Sequence, residues 1–184
     1  NPEILTCSRL EVDLTTNEQL DPSFTYQWST MDGNIISGDN SALSQVDFPG
    51  NYLLEVTNPS NSCTFLQSVQ VSQDTIAPVI STSSDDTLSC TLNQLTSSVS
   101  ADPGSEAMWT SIDGNFVSGQ DSFNPIIDAA GSYTVTVTNP LNGCTSTDGV
   151  DIFLDDDIPI ANAGPNQVFD CLTSSLQLLG DSSS

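Results

Sequence analysis

The sequence predicts an all-β fold in which short antiparallel strands form β-sandwiches in tandem. Three observations predict it: short runs of alternating apolar and polar residues, turn residues between those runs, and a set of landmark residues that returns after 81 positions. Alternation of this kind is typical of a strand with one buried face. No segment sustains a helical period over a useful length, so we expect strands throughout.

The strand-like runs are spread along the chain. The clearest is Tyr-Thr-Val-Thr-Val-Thr at residues 133–138, and shorter runs lie at residues 10–14, 53–56 and 69–71. Each of these runs predicts a strand.

Turn residues separate the runs at matching places. Asp-Gly-Asn at residues 32–34 and 113–115 predicts a turn between two strands, because the left-handed backbone of such a turn costs least at Gly, Asp or Asn. Asn-Pro at residues 58–59 and 139–140 predicts a second hairpin further on.

The landmark residues recur at a constant offset, which indicates an internal repeat. The pairs that lie 81 residues apart include Trp28 and Trp109, Tyr52 and Tyr133, Cys63 and Cys144, Asp74 and Asp155, and Pro78 and Pro159. Cys7, Cys90 and Cys171 form a further series, with spacings of 83 and 81 residues. The difference of two residues falls where a loop can absorb it.

The repeat divides the chain into three predicted domains. Residues 1–78 form the first, which lacks its first strand; residues 79–159 form the second, and residues 160–184 hold the first strands of a third. Roughly seven short strands in about 80 residues predict a Greek-key sandwich for each complete unit.

The aromatic landmarks indicate that the sandwiches are immunoglobulin-like. Trp28 and Trp109 stand where the core Trp of such a sandwich belongs, and we expect them to be buried rather than to stack on a ligand. Tyr52 and Tyr133 follow a Gly near the start of the penultimate strand, as the Tyr of a tyrosine corner does.

The charge balance excludes several classes of function. The chain has 24 acidic residues, one basic residue (Arg9) and no His, for a formal net charge of -23. Nucleic acids and anionic membranes are excluded as partners, because both require clustered Lys and Arg. No apolar run reaches the roughly 18 to 20 residues of a membrane span.

The same composition argues against an enzyme. His and Lys supply most general bases and amine nucleophiles, and the chain has almost none. A mechanism that uses paired carboxylates is the remaining enzymatic alternative, but no spacing in the sequence marks such a pair. We therefore predict a protein without catalytic activity.

Taken together, the motifs resemble a known family of repeats. They are Trp followed by Asp-Gly-Asn and Ser-Gly, then Gly-x-Tyr, Val-Thr-Asn-Pro, a Cys, and finally Ala-Gly-Pro-Asn-Gln before the next Cys. This series resembles the PKD-like and immunoglobulin-like repeats of giant secreted surface proteins of the Bacteroidetes, such as gliding-motility adhesins with a type IX secretion signal. The resemblance covers Cys7 through Gly180 and implies a stalk or filament outside the cell, used for adhesion or surface attachment.

Five cysteines in an acidic chain that looks secreted predict disulfides. The repeat favours bridges within each unit, Cys7 with Cys63 and Cys90 with Cys144, which leaves Cys171 to pair outside this sequence. The rival pattern joins Cys63 to Cys90 and Cys144 to Cys171, and would connect adjacent units.

Acidic residues gather at the predicted junctions between units. Carboxylates from two abutting domains can supply the six to eight oxygen ligands that Ca²⁺ prefers, so calcium is a candidate cofactor there, although no EF-hand spacing is present. Solvated charges are the alternative. The candidate ligands are Asp74, Asp85, Asp86, Asp155, Asp156 and Asp157.

The resemblance also implies a candidate modification. Asp74-Thr75-Ile76 and Asp86-Thr87-Leu88 match the Asp-Thr-aliphatic pattern at which secreted Bacteroidetes proteins are O-glycosylated. Thr75 and Thr87 are therefore the candidate acceptor residues.

The function predicted from the sequence is that of an extracellular structural or adhesive segment, attached to the cell surface or secreted. Its expected partners are neighbouring units or copies of itself in a fibre. The alternative is a module that binds carbohydrate or another surface through exposed loop aromatics, for which Phe24, Phe48 and Phe123 are the candidates, although each fits a core position better.

Overall fold

A computed structural model describes residues 4–15, 23–168, 171–172, 175–178 and 180–183. Within these residues every regular element is a strand, and the chain forms tandem immunoglobulin-like β-sandwiches, as the sequence predicts. The described residues form two separate hydrophobic cores. One is built from residues between Leu5 and Val71, and the other from residues between Leu88 and Ile152. We call the surrounding strands the first unit (β1–β8) and the second unit (β9–β17).

The first unit contains two three-stranded sheets and a short parallel pair. One sheet has the order β2-β5-β4, the other has the order β3-β6-β7, and β1 pairs in parallel with β8. The strands are β1 (Leu5–Thr6), β2 (Val12–Thr15), β3 (Thr25–Thr30), β4 (Ile35–Ser37), β5 (Leu43–Val46), β6 (Gly50–Asn58), β7 (Cys63–Val71) and β8 (Gln73–Asp74).

The second unit repeats this topology. Its larger sheet has the order β10-β17-β16-β13, with β10 parallel to β17, and the facing layer holds the three-stranded sheet β11-β15-β14 and the pair β9-β12. The strands are β9 (Ile80–Thr82), β10 (Asp86–Ser89), β11 (Leu95–Thr96), β12 (Val99–Ala101), β13 (Glu106–Ser111), β14 (Phe116–Ser118), β15 (Ile126–Ile127), β16 (Gly131–Thr138) and β17 (Thr145–Asp155).

A further antiparallel pair follows the second unit. It joins β18 (Ile160–Asn162) to β19 (Asp181–Ser183), with Ala161 opposite Ser182. The pair β9-β12 of the second unit is likewise antiparallel, with Ser81 opposite Ser100. The two pairs therefore occupy equivalent places along the repeat.

The two tryptophans hold the centres of the two cores, as predicted. Trp28 and Trp109 are both buried. Each indole N–H donates to a backbone carbonyl at the same relative position, Ser41 at 3.0 Å and Ser122 at 3.1 Å. Burying the ring is inexpensive because its one polar atom keeps a hydrogen bond.

Both predicted tyrosine corners are present. The buried Tyr133 donates its hydroxyl to the carbonyl of Ala129 at 2.7 Å and accepts the N–H of Asn115 at 2.8 Å. Tyr52 makes the equivalent bond to Phe48 at 2.6 Å. Each corner fixes the start of the long strand β16 or β6 against the loop between two earlier strands.

The Asp-Gly-Asn motif lies between two strands, as predicted, but it does not form the left-handed turn that was expected. The strands on either side of it do not pair: β13 lies in one sheet and β14 in the other, so the motif connects two layers. Gly33 and Gly114 do not have a positive φ. A Cβ on Gly114 would lie 2.2 Å from the ring of Tyr133, so glycine is required there to let the ring approach.

Candidate functional site at the joint between the units

The most distinctive contact of the chain is a disulfide between the two units. Cys7 of the first unit is bonded to Cys144 of the second, with 5.0 Å between their Cα atoms and a sequence separation of 137. Cys63, Cys90 and Cys171 are exposed thiols. The predicted bridges Cys7–Cys63 and Cys90–Cys144 are therefore wrong, and so are the rival bridges Cys63–Cys90 and Cys144–Cys171.

Strand direction explains why a bridge within a unit cannot form. Because β10 runs parallel to β17, Ser89 lies opposite Asp155 at the end of β17, and Cys90 follows it there. Cys144 immediately precedes the start of β17. An 11-residue strand such as β17 spans roughly 33 Å at about 3.3 Å per residue, far beyond the reach of a disulfide.

The same geometry brings cysteines of adjacent units together. Cys7 follows β1, which pairs in parallel with β8 at the end of the first unit, where the chain enters the second unit. Cys144 lies in the loop between β16 and β17, at the end of the second unit that faces this junction, as its bond to Cys7 requires. We call this contact region, which holds Cys7, Cys144 and their hydrogen-bonded neighbours, the joint.

A buried amide organises the joint. The side chain of Asn142 is 1 % exposed, and its Nδ2 donates to Asp74 Oδ1 at 3.0 Å and to the carbonyl of Ile76 at 2.9 Å. Its Oδ1 accepts the N–H of Cys144 at 2.9 Å. The amide thus meets the hydrogen-bonding requirement of a buried polar group, and it does so with atoms from both sides of the junction.

The cysteine loop of the first unit completes the contact. The backbone N–H of Ser8 donates to the carbonyl of Asn142 at 3.2 Å, and the Ser8 hydroxyl lies 3.3 Å from the same oxygen. Gly143 has a φ of 72°, and a Cβ there would lie 2.5 Å from the Cβ of Ser8. Glycine therefore allows both the turn and the close approach of the two loops.

One further bond fastens the connecting segment to β17, and another fastens the adjoining strand β9 to the same strand. The Ser146 hydroxyl donates to the carbonyl of Pro78 at 2.6 Å, and the Thr82 hydroxyl donates to Asp148 at 2.9 Å. The N–H of Gly149 and then the Thr82 hydroxyl hold the pKa of Asp148 below its ordinary value. The segment from residue 74 to residue 78 is thus hydrogen-bonded to the second unit at three points, Asp74, Ile76 and Pro78, whereas the Thr82 bond lies within the second unit.

Cys7, Cys144 and Asp74 could be identified from the sequence as candidate site residues, whereas Asn142, Ser8 and Ser146 were not. One signal was available for Asn142: Asn61 and Asn142 lie 81 residues apart, each two residues before a cysteine. No such signal exists for the two serines, because serine is frequent in this chain and their role depends on which strands are adjacent.

The junction carboxylates do not converge. Within the residues that the structure describes, no group of three or more acidic, Cys or His side chains could hold a metal ion. Asp74 instead accepts from Asn142, and Asp85 accepts the N–H of Asp151 at 2.9 Å. Calcium binding by Asp74, Asp85, Asp86, Asp155, Asp156 and Asp157 remains a prediction from the sequence.

The two candidate glycosylation residues are both exposed. Thr75 lies between β8 and β9, and Thr87 lies in β10. Their modification remains a prediction.

The three phenylalanines considered as candidates for binding carbohydrate are engaged in the fold. Phe123 packs against the core of the second unit, and Phe24 is half-buried. Phe48 is 55 % exposed, but its carbonyl is the acceptor of the first tyrosine corner.

No helix in the described part of the chain is long and apolar enough to cross a membrane.

The joint is a covalent and hydrogen-bonded contact between two domains, built from a disulfide and from amide, carboxylate and hydroxyl groups.

Comparison with known proteins finds similarity only among solved structures. The chain matches no family model and no curated protein. Among solved structures it is similar to three N-terminal domains of the outer capsid protein Hoc of bacteriophage RB49, with 14 % identity over 86 % of this chain and 56 % of that one and a TM-score of 0.46.

Two other similar structures are also rows of domains. Extracellular domains 3–5 of Drosophila OTK are 15 % identical over 84 % of this chain and 60 % of that one, with a TM-score of 0.40. The I67–I69 fragment of titin is 9 % identical over 81 % and 60 %, with a TM-score of 0.39. The chain thus spans 56 to 60 % of the length of these three structures. The likeness concerns the immunoglobulin-like fold alone.

Proposed function

We propose that this chain is a structural segment of an extracellular array of immunoglobulin-like units, which forms a stalk or filament on a bacterial cell surface. The observation that carries the proposal is the joint, in which a disulfide and a buried amide fix one unit to the next. A protein whose units act independently has no need of such a contact. The units proposed are residues 1–78, 79–159 and the start of a third at 160–184.

The disulfide supports a location outside the cytoplasm. Disulfides persist in oxidising compartments and are rare where thiols are kept reduced. The bacterial surface itself comes from the resemblance of the sequence motifs to secreted repeats of the Bacteroidetes. An adhesive role follows from the same resemblance, and the proposal assigns no catalytic activity.

The connection between the units supports an array with defined geometry. Five residues, 75–79, separate β8 from β9, and Ile76 and Pro78 in this segment accept hydrogen bonds from the second unit. Inter-domain interfaces within a chain are ordinarily small and permit motion between domains. Here the covalent bridge and the bonded connection oppose that motion, as a spacer requires.

The net charge suits a chain that works as one of many copies. With a formal charge of -23, neighbouring arrays repel one another at long range and remain soluble. Contacts between units in one array must therefore be short-range and specific, and the joint supplies contacts of that kind.

Immuno-electron microscopy of the native cells tests the proposal. Antibodies raised against this chain should label fibres or stalks on intact, unpermeabilised cells, and antibody preabsorbed with the purified chain should not. Labelling that appears only after permeabilisation would contradict the extracellular location. Labelling of a smooth surface without projections would contradict the stalk or filament.

A further inference from the structure

The second unit carries its own copy of the face that the first unit uses in the joint. We propose that Cys90 forms the same joint with a following unit, through a disulfide to the cysteine of an Asn-Gly-Cys loop like that of residues 142–144. The occupant of this face is thus another unit of the same repeat. This inference rests on the proposed function and adds a covalent link between successive units.

The turn that presents Cys7 is already formed around Cys90. In the first unit the N–H of Thr6 donates to the carbonyl of Arg9 at 2.8 Å, and the N–H of Arg9 donates to Thr6 Oγ1 at 3.0 Å. In the second unit the same two bonds join Ser89 and Leu92, at 2.9 Å and 3.2 Å. Each turn therefore holds its cysteine in the same local geometry.

The hydroxyl beside each cysteine also occupies the same place. Ser8, which contacts the carbonyl of Asn142 in the joint, lies 3.2 Å from the hydroxyl of Thr6. Its counterpart Thr91 lies 3.4 Å from the hydroxyl of Ser89. Thr91 can therefore offer its N–H and hydroxyl to a following loop as Ser8 does.

The acceptors for the buried amide are repeated as well. Asp74 accepts the N–H of Ile76 at 3.2 Å and in addition binds Asn142. Asp155 accepts the N–H of Asp157 at 3.3 Å in the same kind of turn, and its side chain is exposed. A following unit with an Asn-Gly-Cys loop would find in Asp155 the carboxylate, and in residue 157 the carbonyl, that Asn142 finds at the existing joint.

The other half of a joint has its own counterpart in the first unit. Cys63 donates its N–H to Asn61 Oδ1 at 3.0 Å, as Cys144 does to Asn142 at 2.9 Å. Asn61 and Cys63 are exposed, whereas Asn142 and Cys144 are each 1 % exposed. Both halves are thus preformed before they meet, and burial distinguishes a loop within a joint from one outside it.

One residue makes the Asn-Gly-Cys loop the better fit to Cys90. The first unit has Ser62, with a φ of 58°, where the second has Gly143. A Cβ at Gly143 would collide with Ser8, and Thr91 places a Cβ at the position equivalent to Ser8. A loop with glycine therefore fits the Cys90 face without rearrangement, which favours the Asn-Gly-Cys loop as its partner.

The chemical step is an oxidation by two electrons. The thiols of Cys90 and of the following cysteine lose two protons and two electrons and form one S–S bond. Oxidised glutathione supplies the oxidising equivalents by thiol–disulfide exchange and is released as two molecules of reduced glutathione.

A tandem duplication tests the inference. The full chain is prepared with residues 79–159 inserted again after residue 159, so that a complete second unit follows Cys90. Both this chain and the parent are oxidised in a glutathione buffer and unfolded, and their thiols are then titrated. The parent should give three thiols, from Cys63, Cys90 and Cys171. The duplicated chain should also give three, because the new pair of cysteines adds one further bridge.

A matched variant identifies the cysteine that is bonded to Cys90. In the duplicated chain, Cys144→Ser in the inserted copy should raise the thiol count by one, because Cys90 is released. If no bridge forms, the duplicated chain will show two thiols more than the parent, and the same substitution will lower the count by one. Either of those results would overturn the inference.

The thiol count is interpreted only for a chain that is shown to be folded. A cooperative melt and a β-sheet circular dichroism spectrum establish that the duplicated chain is folded. If it does not fold, a second duplication, with residues 83–163 inserted after residue 163, keeps the natural segment that follows β17 and is titrated instead. A folded duplicate without the new bridge would refute the joint at Cys90 but not the proposed array, which depends on the labelling of cells.

Discussion

Replacing Cys144 with serine opens the bridge to Cys7 and should destabilise both units. While the second unit stays folded, unfolding of the first unit turns the chain from Cys7 to Val79 into a closed loop. A loop of about 70 residues is worth roughly 4 kcal/mol in the chain-entropy model of disulfides, and unfolding of the second unit closes a loop of similar size. We therefore expect C144S to lower the free energy of unfolding of each unit by about that amount.

Urea denaturation at neutral pH measures this change. Tryptophan fluorescence reports on both cores, through Trp28 in the first unit and Trp109 in the second. C63S is the matched control, because Cys63 holds the equivalent position in the first unit as an exposed thiol. That substitution should change the free energy of unfolding by less than about 0.5 kcal/mol.

The single bridge predicts a specific pattern of non-additivity. C7S, C144S and the double variant should all lose the same amount, because each removes the same covalent bond. If C144S unfolds like C63S, and non-reducing peptide mapping recovers a Cys7–Cys63 peptide, the geometry of the joint described above is wrong.

Three other substitutions test the joint and the corner. N142A should lower the free energy of unfolding by about 2 kcal/mol, because it leaves the Asp74 carboxylate without its buried donor. N61A, at the exposed equivalent position, should lower it by at most about 0.5 kcal/mol. Urea denaturation of the two variants measures the difference. G114A should lower the free energy of unfolding by about 1 to 3 kcal/mol or more, since its Cβ would meet the ring of Tyr133. G180A is the control in thermal melts, because its Cβ would meet nothing closer than 3.6 Å. Equal melting temperatures of the two variants would show that Gly114 is not required for the approach of the Tyr133 ring. Burial raises the pKa of Tyr133, so the stability that depends on its neutral hydroxyl is complete below the unfolded pKa of about 10 and is lost as the pH rises through the raised folded pKa. Y133F should lower the free energy of unfolding by about 1 to 3 kcal/mol at neutral pH. It should also reduce the loss of stability above pH 10, which denaturation across that pH range measures. If the free energy of unfolding of Y133F falls with pH as steeply as that of the parent, the loss does not arise from Tyr133.

The fold could be predicted from the sequence because its signals are local and occur twice. Alternation in residues 133–138 identified the strand β16, and the two tryptophans and two corner tyrosines returned at the same offset with the roles expected of them. Burial of alternate side chains is a property of one strand, so a single strand suffices to reveal it.

The function of the Asp-Gly-Asn glycines could not be predicted in the same way. Glycine before Asn is typical of a left-handed turn, but Gly114 serves here to admit the ring of Tyr133, which is 19 residues further on. The need for a missing side chain arises from a tertiary contact. Local sequence contains no record of that contact.

The disulfide was mispredicted because sequence spacing does not determine strand direction. Cys90 and Cys144 belong to one unit, yet the parallel pairing of β10 with β17 places them at opposite ends of it. An antiparallel pairing would have brought the same residues close together. The correct partner of Cys7 follows from the direction of one short strand, which the sequence does not specify.

The position of the bridge determines how tension crosses the molecule. A pull applied to the segments on either side passes through Cys7, across the sulfur–sulfur bond and into β17, so the chain between the two cysteines lies outside the load path. Those 137 residues of separation correspond to about 450 to 490 Å of extended polypeptide. Reduction would add this length of chain to the load path, so an array with such bridges would extend further under the same load once its disulfides are reduced.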